Sequence, residues 1–309
     1  MHTTPTPTSS RATKLALGTA LISGFSVFVA KLAVTGPVDA VVLTTAKNIL
    51  AAVFLCGLLS VLRYWQELRF LSPAQWLKLS LIGAIGGSLP FALFFTGLKT
   101  TSAINGALIH KTLFLWVALL AVPFLKERIY PLQWLGVGAI FLANMLPGGF
   151  VGFKMNFGEL LILSATLLWA VENILAKKIL QEISAPVVAW ARMTIGSSIL
   201  LAYLVATGSV GQLLAFPGQG WLWVVFSGVL LFGYVSTWYS ALKLAPAGYV
   251  ASLLTLSTLV TNVLSAVLVT HALKLTDLVS GVLYLLGVAL VVYSAHRSSS
   301  VSPAAVSGV

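Results

Sequence analysis

Two cations stand side by side in NGALIHKTLFLW, residues 105–116. His110 could hydrogen-bond or pass a proton, and Lys111 could hold a carboxylate or another anion by charge-assisted hydrogen bonds. The surrounding run is apolar, and a charge there costs about 2.5–3.5 kcal/mol on insertion scales, so it must face protein or water. The other ionisable groups inside apolar runs are Lys31, Lys47 and Arg192, against Glu172 as the one deep acid. That excess of cations favours an anionic or zwitterionic ligand. Enzymatic acid–base or nucleophilic work would need a His/Asp/Glu or Ser/His cluster, and Glu159 and Asp277, the other candidate acids, fall near the ends of apolar runs. The single cysteine, Cys56, excludes an internal disulfide and a cysteine metal cluster. A GxxxxGK[ST] phosphate loop is absent from the sequence.

The elements that position these residues follow from composition. The 309-residue chain is 59% hydrophobic and 8% charged, with a mean hydropathy of +1.00, outside the range of soluble domains. The apolar residues form blocks of about 20, the length that crosses a bilayer as helix. Ten spans are expected, at roughly 14–35, 40–62, 75–98, 101–124, 130–147, 157–177, 186–206, 221–242, 246–269 and 275–295. Residues 1–13 and 298–309 are rich in Ser, Thr, Pro, Ala and Gly and read as disordered tails. Of the 18 Lys and Arg residues, eleven lie on the amino-terminal side of the membrane, three (Lys99, Lys154 and Lys274) on the other, and four within spans. The positive-inside rule then puts both termini in the cytoplasm of a multi-pass protein of the cytoplasmic membrane. It also explains the net charge of +11 without nucleic acid.

Lys111 lies about ten residues into the fourth span, roughly 15 Å deep, near the middle of a core about 30 Å thick. Ala103, Ala107 and Lys111 share one helix stripe, and Ser102, Gly106 and His110 the next. Small residues leading to two cations suit either close packing or a cavity. Asn105, Trp169, Asn173, Tyr234, Trp238, Thr255 and Asn262 are polar or aromatic candidates for the same cavity. Glu172 and Arg192 lie at equal depth, roughly 8–9 Å inside the amino-terminal face on consecutive spans, as a static ion pair or a gate. In the third span, GAIGGSLPF (83–91) places three glycines and Pro90, which suits either close packing or a bend.

The chain also resembles itself at a spacing near 145. GLKTTSAINGALI (97–109) lies over ALKLAPAGYVASLL (241–254), and DAVVLTTAKNIL (39–50) over SAPVVAWARMTI (184–195), pairing Lys47 with Arg192. Five spans per copy is an odd number, so 14–147 and 157–295 form an inverted-topology repeat, an architecture common among secondary transporters.

FLKERIYPLQWLGVGAIFLANM (124–145) resembles the fourth-to-fifth junction of EamA-type members of the drug/metabolite transporter superfamily, and SALKLAPAGYVASLL (240–254) the eighth-to-ninth. The resemblance implies an all-α fold of ten helices in two inverted five-helix repeats, with a central cavity lined by the first, third and fourth helix of each half. Family members often carry Pro early in the fourth and ninth spans, where Phe114 and Thr258 stand here, and Glu after both spans, where Glu127 and His271 stand. The expected function is a secondary carrier of a small polar metabolite, such as an amino acid, possibly in export. A passive pore is the alternative, and an intramembrane enzyme a third. The expected partners are a small-molecule substrate, the bilayer and an unassigned coupling ion or counter-substrate, with no cofactor or metal, in a monomer or homodimer.

Overall fold

The computed structural model describes residues 10–33, 39–146, 156–216, 218–272 and 274–300. All regular elements among them are helical. Nine helical stretches are long and apolar enough to cross a membrane, and Pro131–Met145 is a tenth, shorter apolar helix. The spans are α1 (Ser10–Ala33), α2 (Ala40–Val61), α4 (Pro73–Gly87) with α5 (Leu89–Leu98), α6 (Ala103–Lys111) with α7 (Leu113–Leu125), and α8 (Pro131–Met145). The second five are α9 (Phe157–Ile179), α10 (Ala185–Ala206), α12 (Gly218–Leu244), α13 (Ala247–Leu254) with α14 (Leu256–Ser265) and a π-turn over Ala266–Thr270, and α15 (Leu275–Ser300). Short helices α3 (Trp65–Arg69) and α11 (Gly211–Leu214) connect spans. This is a ten-helix membrane protein.

Helix starts follow local chemistry. Asp39 accepts from the Val41 and Val42 amides, Ser72 forms a capping box with Gln75 ahead of Pro73, and Asn156 accepts from the Glu159 amide. The first helix begins at Ser10, inside the segment expected to be a disordered tail. Ala12 is fully buried and the Thr13 hydroxyl bonds the Tyr249 hydroxyl at 2.9 Å, which holds that turn down. At the other end α15 runs on to Ser300, three residues into the expected carboxy-terminal tail. Residues 1–9 and 301–309, and the side chain of Lys31, lie outside the described region.

Three spans expected as single helices are broken midway. In the third, Pro90 supplies no amide hydrogen, and Ser88 sits at φ −138°, ψ −75° between α4 and α5. In the fourth and ninth no proline stands at the break. Instead the hydroxyls of Thr112 and Thr255 each donate at 2.6 Å to the carbonyl three residues back, Ile109 and Ser252, and the backbone tightens into i→i−3 bonds there.

Packing runs across the two halves of the sequence. Helix α1 packs on α12 and on α13–α14, while α9 packs on α4–α5 and on α6–α7. Likewise α2 packs on α12 and α10 on α4, with α2 against α10, α7 against α13 and α8 against α15. Replacing each span by the one five places away turns this set of contacts into itself. The two membrane faces differ, however. At the amino-terminal face α7 packs on α13, whereas α6 and α14, the outer halves of the same two spans, show no comparable contact among the described residues.

Candidate substrate site

The break in the third span organises the polar interior. In an unbroken helix the Gly86 carbonyl would accept from the amide at position 90, which is proline. It accepts instead from Trp169 Nε1 at 3.1 Å and Arg192 Nη2 at 3.0 Å. The Gly87 carbonyl takes Asn48 Nδ2 at 3.4 Å. Side chains from spans two, six and seven thus satisfy the backbone freed at mid-span, the condition for irregular backbone at membrane depth. Glu172 reaches the same place from the other side: a Cβ on Gly86 would meet both its side chain and Arg192 Nε. The two charges are held separately. Tyr239 donates its hydroxyl to Glu172 Oε1 at 2.5 Å, and the Arg192 guanidinium lies 5.9 Å from the Tyr239 ring centroid. They form no direct ion pair within 4.0 Å among the described residues. Arg192 Nε and Asn173 Oδ1 are buried without hydrogen-bond partners.

An aromatic wall joins this node to the fourth span. Trp169, whose indole N–H is on Gly86, meets the His110 ring at 4.9 Å, Phe94 at 5.9 Å and Phe91 at 5.1 Å, and Phe94 meets His110 at 5.3 Å. His110 Nδ1 is buried without a partner. Lys111 follows as the last residue of α6, half-buried at the break. One turn on, Thr112 also accepts from Trp116 Nε1 at 3.0 Å. Trp169 therefore ties the freed Gly86 carbonyl and Arg192 at the break in span three to His110 beside the break in span four.

Comparisons with known proteins place the chain in a family. A family model described as the EamA-like transporter family matches residues 11–146 and again residues 156–293. The chain belongs to this family. It is 28% identical to the uncharacterized transporter YyaM of Bacillus subtilis (strain 168) over 225 residues, covering 70% of this chain and 72% of that one. An uncharacterized transporter of Archaeoglobus fulgidus is 25% identical over 233 residues, with 73% and 79% covered. A protein of known crystal structure shares the fold, with a TM-score of 0.78 at 17% identity, over 93% of this chain and 98% of its own.

Within this EamA chain the expected residues divide into groups. His110, Lys111, Trp169, Asn173, Glu172 and Arg192 sit around the interrupted spans described above. Tyr234 and Trp238 stack at 6.1 Å on α12, and Thr255 marks the break in span nine. Asn105 goes elsewhere: its Nδ2 donates to Glu159 Oε1 at 2.6 Å at the far ends of spans four and six. Lys47 and Asn262 are half-buried on α2 and α14. Sequence reasoning missed Tyr239, the Gly86 carbonyl and the breaks at Thr112 and Thr255. Only the carbonyl had a signal, namely a proline four residues on.

Proposed function

We propose that this protein is a secondary carrier that moves a small, carboxylate-bearing polar metabolite by alternating access, with Lys111 as the partner of the anionic group. The observation that carries this reading is the coincidence of the breaks in spans three and four with the only neighbouring His–Lys pair in the sequence, in a chain of a transporter family. Discontinuous helices at the midplane are how many carriers expose polar backbone and helix ends to substrate. The double match of one family model and the self-mapping contact pattern support an inverted repeat, in which the two halves rock about the central site. The eleven-to-three charge bias supports cytoplasmic termini and placement in the cytoplasmic membrane. An amino acid moved outward fits the resemblance best.

A thermal-shift screen with amino acids, organic acids and nucleosides selects the ligand, and proteoliposomes then test the mechanism. Saturable uptake with counterflow marks a carrier, and linear flux without counterflow marks a pore. Lys111→Met keeps the length of the side chain and removes its charge. It should abolish transport and the ligand-induced shift while the protein still inserts and melts near the wild-type temperature. Full transport by that variant removes Lys111 from the site.

A further inference from the structure

We infer that Glu127 and Lys177 form a latch that keeps the amino-terminal face shut, and that the described residues of the opposite face hold no counterpart of the Glu127 bridge. Glu127, just past α7, reaches across the half-to-half boundary to the start of α13. Its Oε1 accepts from the Ala247 amide at 2.6 Å and its Oε2 from the Gly248 amide at 3.1 Å. First-turn amides have no acceptor within their own helix, and the positive end of the helix dipole favours a carboxylate there. Lys177, near the end of α9, does the converse at the end of α12. Its ammonium donates to the carbonyls of Leu242 at 2.6 Å and Ala245 at 2.7 Å. The turn between spans eight and nine, LKLAPAG, is thus gripped on both sides of Pro246 by opposite charges on complementary helix ends. Lys243 adds a bond to the Ile183 carbonyl at 3.0 Å. Separating α7 from α13 must break both bonds of Glu127.

The opposite face differs at the matching position. The left-handed residues that end spans four and nine are Lys126 (φ 56°) and His271 (φ 49°), which are 145 positions apart. By backbone conformation His271 therefore corresponds to Lys126, not to Glu127, and the residue corresponding to Glu127 is Ala272. Span nine therefore offers no carboxylate at that position to reach α6. The α6 amide at Asn105 is satisfied by its own Ser102 hydroxyl at 3.1 Å. The bonds that do lie at that face, Lys99–Asp39 at 3.4 Å and Asn105–Glu159, do not join spans four and nine. This matches the packing, tight between α7 and α13, with no comparable contact between α6 and α14 among the described residues. The breaks at Thr112 and Thr255 let the two ends of these spans behave independently, so the carrier rests shut at the latch, while the described residues at the other face hold no such tie between spans four and nine.

The inference rests on the alternating-access reading. Its test needs no substrate, so the latch can fail while flux persists, and flux can fail while the latch holds. In a Cys56→Ala background, Ser252→Cys reports from beneath the latch, where Ser252 is buried. Thr258→Cys, on half-buried α14, reports from the other side. An impermeant maleimide is added to each side of oriented vesicles. Glu127→Ala should raise labelling at 252 from the amino-terminal side by about tenfold or more, since even one of its two lost charge-assisted hydrogen bonds changes an equilibrium by about that factor. It should lower labelling at 258 from the opposite side. Lys177→Met, which keeps the side-chain stem, should do the same and stands in if the Glu127 variant does not fold. Unchanged labelling at both sites alongside a lower melting temperature would reduce the contacts to helix caps and overturn the latch. Labelling that rises at both sites together indicates a loosened bundle and also overturns it.

Discussion

Glu172 and Arg192 offer a quantitative test of how the interior tolerates charge. Their exposures are 1% and 7%, yet neither touches the other. Arg192 Nε and the Glu172 carboxyl carbon each lie 3.0 Å from the point a Cβ would take on Gly86, so two such lengths end to end place them no more than about 6 Å apart. At an effective dielectric constant of about 20 the attraction is then about 3 kcal/mol. Arg192→Gln loses that attraction and its charged bond to Gly86, and leaves the Glu172 carboxylate buried without a counter-charge. A loss of about 3–5 kcal/mol is expected, the usual cost of breaking a buried pair. Glu172→Gln retains an oxygen to accept from Tyr239, so its loss should be smaller, about 2–3 kcal/mol. The double variant removes both charges and should recover about 3 kcal/mol relative to additivity. Equilibrium unfolding in detergent of the wild type, both single variants and the double gives the coupling directly. A coupling within about 0.5 kcal/mol of zero, the scatter expected of independent sites, would refute the electrostatic argument. It would leave the Gly86 carbonyl as the sole reason Arg192 is buried. If the pair also closes during transport, the stable double variant should show altered flux.

Gly196→Ala would put a methyl 2.6 Å from Gly87 Cα at the crossing of spans three and seven. It should destabilise by about 1–3 kcal/mol in thermal unfolding, whereas Gly138→Ala, with nothing within 4 Å, should not destabilise. Asn105→Leu leaves both oxygens of buried Glu159 without a donor and should cost about 1–3 kcal/mol by the same measurement. Burial lifts the Glu127 carboxyl above its ordinary value of 4.5, with the Ala247 and Gly248 amides and Lys177 pulling it back. The raised value means that the amides and Lys177 offset only part of the cost of burying the carboxylate, so the net contribution of Glu127 to folding falls as pH rises through the raised value. The melting-temperature gap between wild type and Glu127→Ala should therefore be widest at acid pH and narrow above that window. A gap that widens with rising pH would reverse the sign.

Much of this arrangement was legible beforehand, and the exceptions have physical reasons. Block lengths give the number of spans, and of the two readings open for Pro90 and its glycines, close packing or a bend, the bend is what the third span shows. Equal depth brought Glu172 and Arg192 to one level, but depth does not say which partners arrive first, and Tyr239 and Gly86 took the direct bonds. The breaks at Thr112 and Thr255 left no trace, because threonine in an apolar helix can bond its own backbone without ending the helix. Asn105 was grouped with Lys111 by proximity. Six residues of helix turn the two side chains about 120° apart, so they serve different neighbours. The family resemblance sets His271 where a second Glu is common, whereas backbone conformation pairs it with Lys126.

The crossed packing of the two halves also sets a timetable for biogenesis. Helix α8 finds its main partner in α15, and α1 finds its own in α12 and α13–α14. Ribosomes extend a chain at about 5–20 residues per second, so α8 enters the bilayer about 7–30 s before α15 does. Through that interval the leading five spans have few partners of their own, and Glu127 has no helix end to cap. Lipid, an insertase or a chaperone must cover those surfaces until the trailing spans arrive. Substitutions at the α8–α15 seam should therefore reduce yield in the cell more than they reduce the stability of the molecules that mature.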